Sequence, residues 1–82
     1  MEATNILKDI LRKIEAIRLG LAEPKELERL AVDNIAKFSL ANLSDDLSDL
    51  LHDCIDFAEN PTISDLNDIG QRAKELLKLK LV

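Results

Sequence analysis

Apolar residues recur along this chain with the period of a helix. Ala3, Leu7, Ile10, Ile14, Ile17 and Leu21 follow alternating steps of four and three, and Ile6 and Leu11 widen the stripe. Such spacing gathers side chains on one side of a helix, facing a core. A first helix is expected over residues 4–19, with Thr4 or Asn5 as its N-cap. Gly20 stands where a left-handed residue would end it. A second helix is expected over 24–40. Pro24 suits its first position, where the missing N–H has no helical partner anyway. Glu23 and Glu26 favour the positive end of its dipole. Leu27, Leu30, Ala31, Asn34, Ile35, Phe38 and Ala41 mark its inner face.

A third helix is expected over 45–59, capped by Ser44 and opened by Asp45 and Asp46. Asn60-Pro61 stops it, because a residue before proline avoids helical dihedrals. A fourth is expected over 63–80, introduced by the capping-box-like pair Thr62 and Asp65. Leu66, Ile69, Ala73, Leu76, Leu77 and Lys80 share its inner side, and Gly70 suggests close contact with a neighbouring helix. The links are short, and short links make successive helices antiparallel neighbours. The expected fold is therefore all-α, an antiparallel up-down four-helix bundle, with residues 1–82 forming a single domain.

Composition narrows this picture. The chain has 82 residues, enough for one modest core. Two Phe are its only aromatic residues, so that core must be aliphatic. The single cysteine, Cys54, permits neither an intrachain disulfide nor a thiolate metal cluster, and it reads as a small core residue. Charges interrupt every long apolar run, and no basic, apolar leader opens the chain. No membrane association is expected, and the expected location is the cytoplasm.

The net charge of −5 is unevenly distributed. Residues 1–43 hold seven basic and seven acidic side chains, and residues 69–82 sum to +3. Residues 44–68 hold eight acidic side chains and no Lys or Arg. On a helical wheel at about 100° per residue, Asp45, Asp49, His52, Asp53, Asp56 and Glu59 fall on one side of the third helix. Asp46 lies at their border, and Leu47, Leu50, Leu51, Cys54 and Ala58 fall opposite. Like charges three and four apart cost a helix a few tenths of a kcal/mol per pair. Such a face is either a solvated surface that aids solubility or a surface held for a basic partner. Asp45, Asp46, Asp49, Asp53, Asp56 and Glu59 are the candidate partner-binding residues.

Other chemistry finds little footing. With Gly20 and Gly70 as its only glycines, the chain has no phosphate-binding loop. His52 and the neighbouring aspartates on one helix do not converge on a metal without ligands from a second helix. Cys54 and His52 point to different faces and make no nucleophile–base pair. Neither catalysis, nor a metal, nor a cofactor is expected. The acidic helix would repel phosphate, so nucleic acid is not an expected ligand. An acyl-carrier role would need an Asp-Ser-Leu at a helix start, and neither Ser44 nor Ser48 sits in one.

The stretch from Ile17 to Leu27, reading IRLGLAEPKEL, is a helix–Gly–turn–helix. An acidic helix, the Asn60-Pro61 break and a Leu/Lys-rich last helix follow it. In this layout the chain resembles the colicin D-type immunity proteins and similar contact-dependent-inhibition immunity proteins. The resemblance implies a small acidic helical bundle that blocks a ribonuclease toxin domain by covering its basic active site. It carries over the acidic face as a patch and no individual contact residue. The alternative is a helical oligomerisation or regulatory module, with the stripe of the first helix pairing two copies as a homodimer.

Overall fold

The computed structural model describes residues 2–37 and 45–81. Four helices form it: α1 (Glu2–Arg18), α2 (Pro24–Lys37), α3 (Asp45–Glu59) and α4 (Ile63–Leu81). Each helix packs on its sequence neighbours, and α1 closes the ring against α4. This is the all-α, antiparallel four-helix arrangement that the periodicity and short links predict. The direction of packing shows in one hydrogen bond. Arg18, the last residue of α1, donates from Nη2 to Asn67 Oδ1 near the start of α4, at 2.7 Å.

The core is aliphatic and continuous. Leu7, Ile10, Ile14, Leu27, Leu47, Leu50, Leu51 and Cys54 are at most 1% exposed, and no polar or charged side chain among the described residues is buried. The inner stripe of α1 is therefore consumed within one chain as far as Ile14, with Ile17 packed half-buried against the core. Leu21 departs from the stripe. It follows the end of the helix and is 77% exposed, because periodicity holds only while the chain stays helical.

Local chemistry accounts for most helix ends. Gly20 takes φ +76°, Leu21 N–H donates to Ala16 O at 2.8 Å, and Gly20 N–H donates to Ile17 O at 3.1 Å. These are the paired bonds of a Schellman cap, which a left-handed glycine permits at low cost. At the start of α2, the Glu26 carboxylate reaches back and accepts the Glu23 N–H at 2.7 Å. Glu23 lacks a good capping side chain, and Glu26 supplies half of a capping box in its place. That bond is the main reason the Glu26 carboxyl titrates below its ordinary value. Thr62 Oγ1 accepts the Asp65 N–H at 3.1 Å, so Thr62 caps α4 as its sequence context predicts.

Other expectations are corrected or refined. Thr4 and Asn5 are not caps, because α1 already runs from Glu2. Asn34 is half-buried and donates to Leu30 O of its own helix at 2.8 Å. It is a satisfied boundary residue. Gly70 is buried on the α1–α4 seam, where an added Cβ would lie 3.6 Å from Arg18 and 3.8 Å from Ile14. It marks the expected close contact, yet the space there is wide enough for a methyl group. The expected cap Ser44, the inner-face positions Phe38 and Ala41, and the side chain of Lys80 lie outside the described residues.

Candidate binding face on the third helix

The apolar side of α3 seats the helix, since Leu47, Leu50, Leu51, Cys54 and Phe57 are all buried. That seating fixes the opposite side outward. Asp45, Asp46, Asp49, Asp56 and Glu59 are exposed, and Asp53 is intermediate. Among the described residues, Asp45, Asp46, Asp49, Asp56 and Glu59 enter no ion pair.

The helix ends sharpen the contrast. Asp45 and Asp46 stand in the first turn, where carboxylates oppose the positive end of the dipole favourably. Asp56 and Glu59 stand at the other end, in a last turn that holds no basic residue. Carboxylates there face the negative end of the dipole, at a cost on the order of 0.3–1 kcal/mol each. By contrast, α1 places Arg18 and α2 places Lys37 in the last turn.

The face is not uniform, and two of its predicted members behave differently. Asp53 turns toward α4 and accepts a hydrogen bond from Arg72, whose guanidinium also lies 3.6 Å from Asp68. The Arg72 side chain keeps a third of its surface exposed, and Asp53 a little more. Pairing with Asp53 raises the affinity of Arg72 for its proton above the ordinary value. So the repulsion along α3 is relieved at one position, by a residue one helix away. Glu59 turns the other way, into a groove shared with Lys25, Glu28, Arg29 and Val32 of α2. The continuous acidic face is thus Asp45, Asp49 and Asp56 along the crest, with Asp46 beside them and Asp53 turned toward α4.

On that side a groove of about 380 Å³ runs between α3 and α4, lined by Asp53, Asp56, Asn60, Asp65 and Asp68 over a floor of Phe57 and Ile69. The wheel of a single helix could not show that Asp65 and Asp68 extend the acidic surface onto α4. Their place in the same base-free segment was the available signal.

The remaining candidates are placed plainly. His52 is exposed and its Nδ1 lies 2.8 Å from the Ser48 carbonyl one turn earlier. A carbonyl only accepts, so Nδ1 carries the proton in that bond. Cys54 lies in the core, where burial pushes its thiol up to about 12. It stays protonated and unreactive at ordinary pH, as its apolar setting predicts. Among the described residues no group of three or more His, Cys, Asp or Glu side chains is arranged to hold a metal ion. No helix among them is long and apolar enough to cross a membrane.

Comparison with protein-family models, with curated proteins and with solved structures finds no match to this chain.

Proposed function

We propose that this chain is a non-catalytic inhibitor of the immunity-protein kind, which neutralises a basic toxin nuclease domain by covering it with the acidic face of α3. The observation that carries the reading is the set of unpaired carboxylates on α3, in a chain whose other helices pair several of theirs. Those carboxylates repel one another along the helix, and two of them oppose its dipole. A basic partner would relieve both costs on binding, and the field would speed its approach. A nuclease site built to hold phosphates is basic, so an acidic helix can occupy it in place of nucleic acid. The helical layout that resembles colicin D-type immunity proteins supports the same reading.

The test follows the geometry. Asp53 is engaged by Arg72, so charge reversal belongs at the unpaired positions. Tagged protein and an Asp45→Lys, Asp49→Lys, Asp56→Lys variant would be used to capture partners from the source cell at low and high salt. The expected result is a basic protein held at low salt, released by high salt and not retained by the variant. That protein's nuclease activity should fall when the unmodified chain is added and stay unchanged with the variant. Capture that ignores both salt and charge reversal, or a partner with no nuclease activity, overturns the reading.

A further inference from the structure

The acidic groove and a separate apolar pocket meet at one residue. Phe57 lies on the floor of the groove between α3 and α4, and it also lines a pocket of about 310 Å³ at the end of the bundle. Ile17 of α1, Pro24 of α2, Pro61 of the link between α3 and α4, and Ile63 and Leu66 of α4 complete the apolar wall of that pocket. The sequence places these residues at the ends of four different helices, so only the assembled bundle brings them together.

Apolar side chains are also left in water around it. Five large hydrophobic residues are exposed among the described residues, and three of them stand at this end: Leu19 (65%), Leu21 (77%) and Ile63 (77%). Exposed apolar residues scattered singly need no explanation, but several gathered beside a pocket mark an interaction surface.

We propose that this end of the bundle is the anchoring site for the basic protein partner, taking a large apolar side chain of that partner into the Phe57–Ile63–Leu66 pocket. Lysine or arginine side chains about one turn from the anchor then meet Asp56 and Asp65. This inference rests on the proposed binding of a basic protein and adds the part of the surface that makes the binding selective.

Charge chooses this occupant over the others. Asp56 and Asp65 enter no ion pair among the described residues, whereas Arg72 already engages Asp53 and Asp68 deeper in the groove. Arg18 also lines the pocket, but its guanidinium is engaged by Asn67 and Glu15, and the lining contributed by residues 57–66 belongs to a segment with no Lys or Arg. A second copy presenting the same end would set that segment against itself. Nucleic acid and anionic lipid would be repelled for the same reason. A basic polypeptide meets no such penalty, and its long cationic side chains can lie along apolar surface while their heads reach the carboxylates. Interfaces concentrate their affinity in a few large side chains seated in pockets, and charge around them governs approach and register.

The test uses the full isotope-labelled chain and two helical peptides of equal length and equal positive charge. One peptide carries leucine and tryptophan on a single face, and the other carries alanine there. The anchored peptide should bind at least about tenfold more tightly. It should shift the backbone signals of Phe57, Ile63, Leu66, Asp56 and Asp65. Ile63→Ser combined with Leu21→Ser should abolish that advantage without changing helicity, because both side chains are exposed.

Equal affinity of the two peptides, with shifts spread along α3 from Asp45 to Asp56, overturns the anchor and leaves the acidic-face reading standing. Failure of both peptides to bind at low salt overturns both. Self-association of the chain that Ile63→Ser abolishes would name a second copy as the occupant and overturn the inference.

Discussion

α1 and α3 are nearly equal in length, and both bury an aliphatic stripe: Ile6, Leu7, Ile10 and Ile14 on one, Leu47, Leu50, Leu51 and Cys54 on the other. Their outward faces differ. On α1, Arg12 pairs with Asp9 at 3.2 Å and Arg18 with Glu15 at 3.5 Å, each within one turn, and Lys13 reaches Glu26 of α2 at 3.4 Å. Among the described residues, the one ion pair of α3 is supplied from α4. The first helix is balanced by its own sequence and the third is left charged. Helicity and packing do not require that asymmetry, because α1 meets both needs without it. The comparison therefore separates the part of α3 that builds the fold from the part available for recognition.

The largest test should erase the difference. Leu7→Ala in α1 and Leu50→Ala in α3 each remove a side chain with no exposed surface. Each should cost about 2–5 kcal/mol in chemical denaturation. A loss below about 1 kcal/mol for Leu50→Ala alone would show that α3 is held less firmly than its burial indicates.

The two glycines come next, and they should act in opposite directions. Gly20→Ala forces a side chain into φ +76° at the end of α1 and should lower stability by about 1–2 kcal/mol. Gly70→Ala meets only ordinary contacts with Ile14 and Arg18. It should raise stability by about 0.5–1 kcal/mol through helix propensity. A destabilised Gly70→Ala would mean that the α1–α4 seam cannot accept a methyl group.

Charge exchange addresses the comparison most directly. Asp49→Lys sets a cation among Asp45, Asp46 and Asp53 and should stabilise the free protein by about 0.2–0.5 kcal/mol per pair formed. Asp9→Lys breaks the pair with Arg12 and should destabilise by a similar amount, about 0.2–0.5 kcal/mol. Both effects should shrink as salt is raised. Equal signs for the two substitutions would remove the distinction drawn between the helices.

The smallest effect concerns acid. The folded-state Glu26 carboxyl titrates below its ordinary value of 4.5, chiefly because it accepts the Glu23 N–H. The stability this bond adds is complete above that value and is lost as pH falls through the folded-state titration. Glu26→Gln keeps an acceptor but cannot titrate, so its denaturation midpoint should change less between pH 5 and pH 3 than that of the unmodified protein. An unchanged acid response would place the titrating group elsewhere.

The bundle was legible in the sequence because its signals are local. Three- and four-residue spacing gave the helices and their inner faces. Pro24 and Asn60-Pro61 gave boundaries that match the observed starts and stop. Gly20 gave a C-cap that the hydrogen bonds display. The corrections come from effects that spacing along one helix does not carry. Leu21 keeps the rhythm of α1 after the helix has ended. Asp53 and Glu59 share a side of a helical wheel, yet neighbouring helices draw them to opposite grooves. Arg72 reads as one of several basic residues late in the chain, and only the packing of α4 on α3 brings it to Asp53. The pocket at Phe57 is least legible of all, since it exists only where four helix ends converge.

The solitary thiol at the centre of α3 has a further use. Cys54 has no exposed surface, and its neighbours keep it protonated. A thiol reagent can therefore reach it only when the bundle opens there. Its labelling rate in the native protein is a built-in clock for excursions of α3 from its seat, read without adding a probe or changing a residue. A partner that clamps α3 would slow that clock in proportion to how tightly it holds.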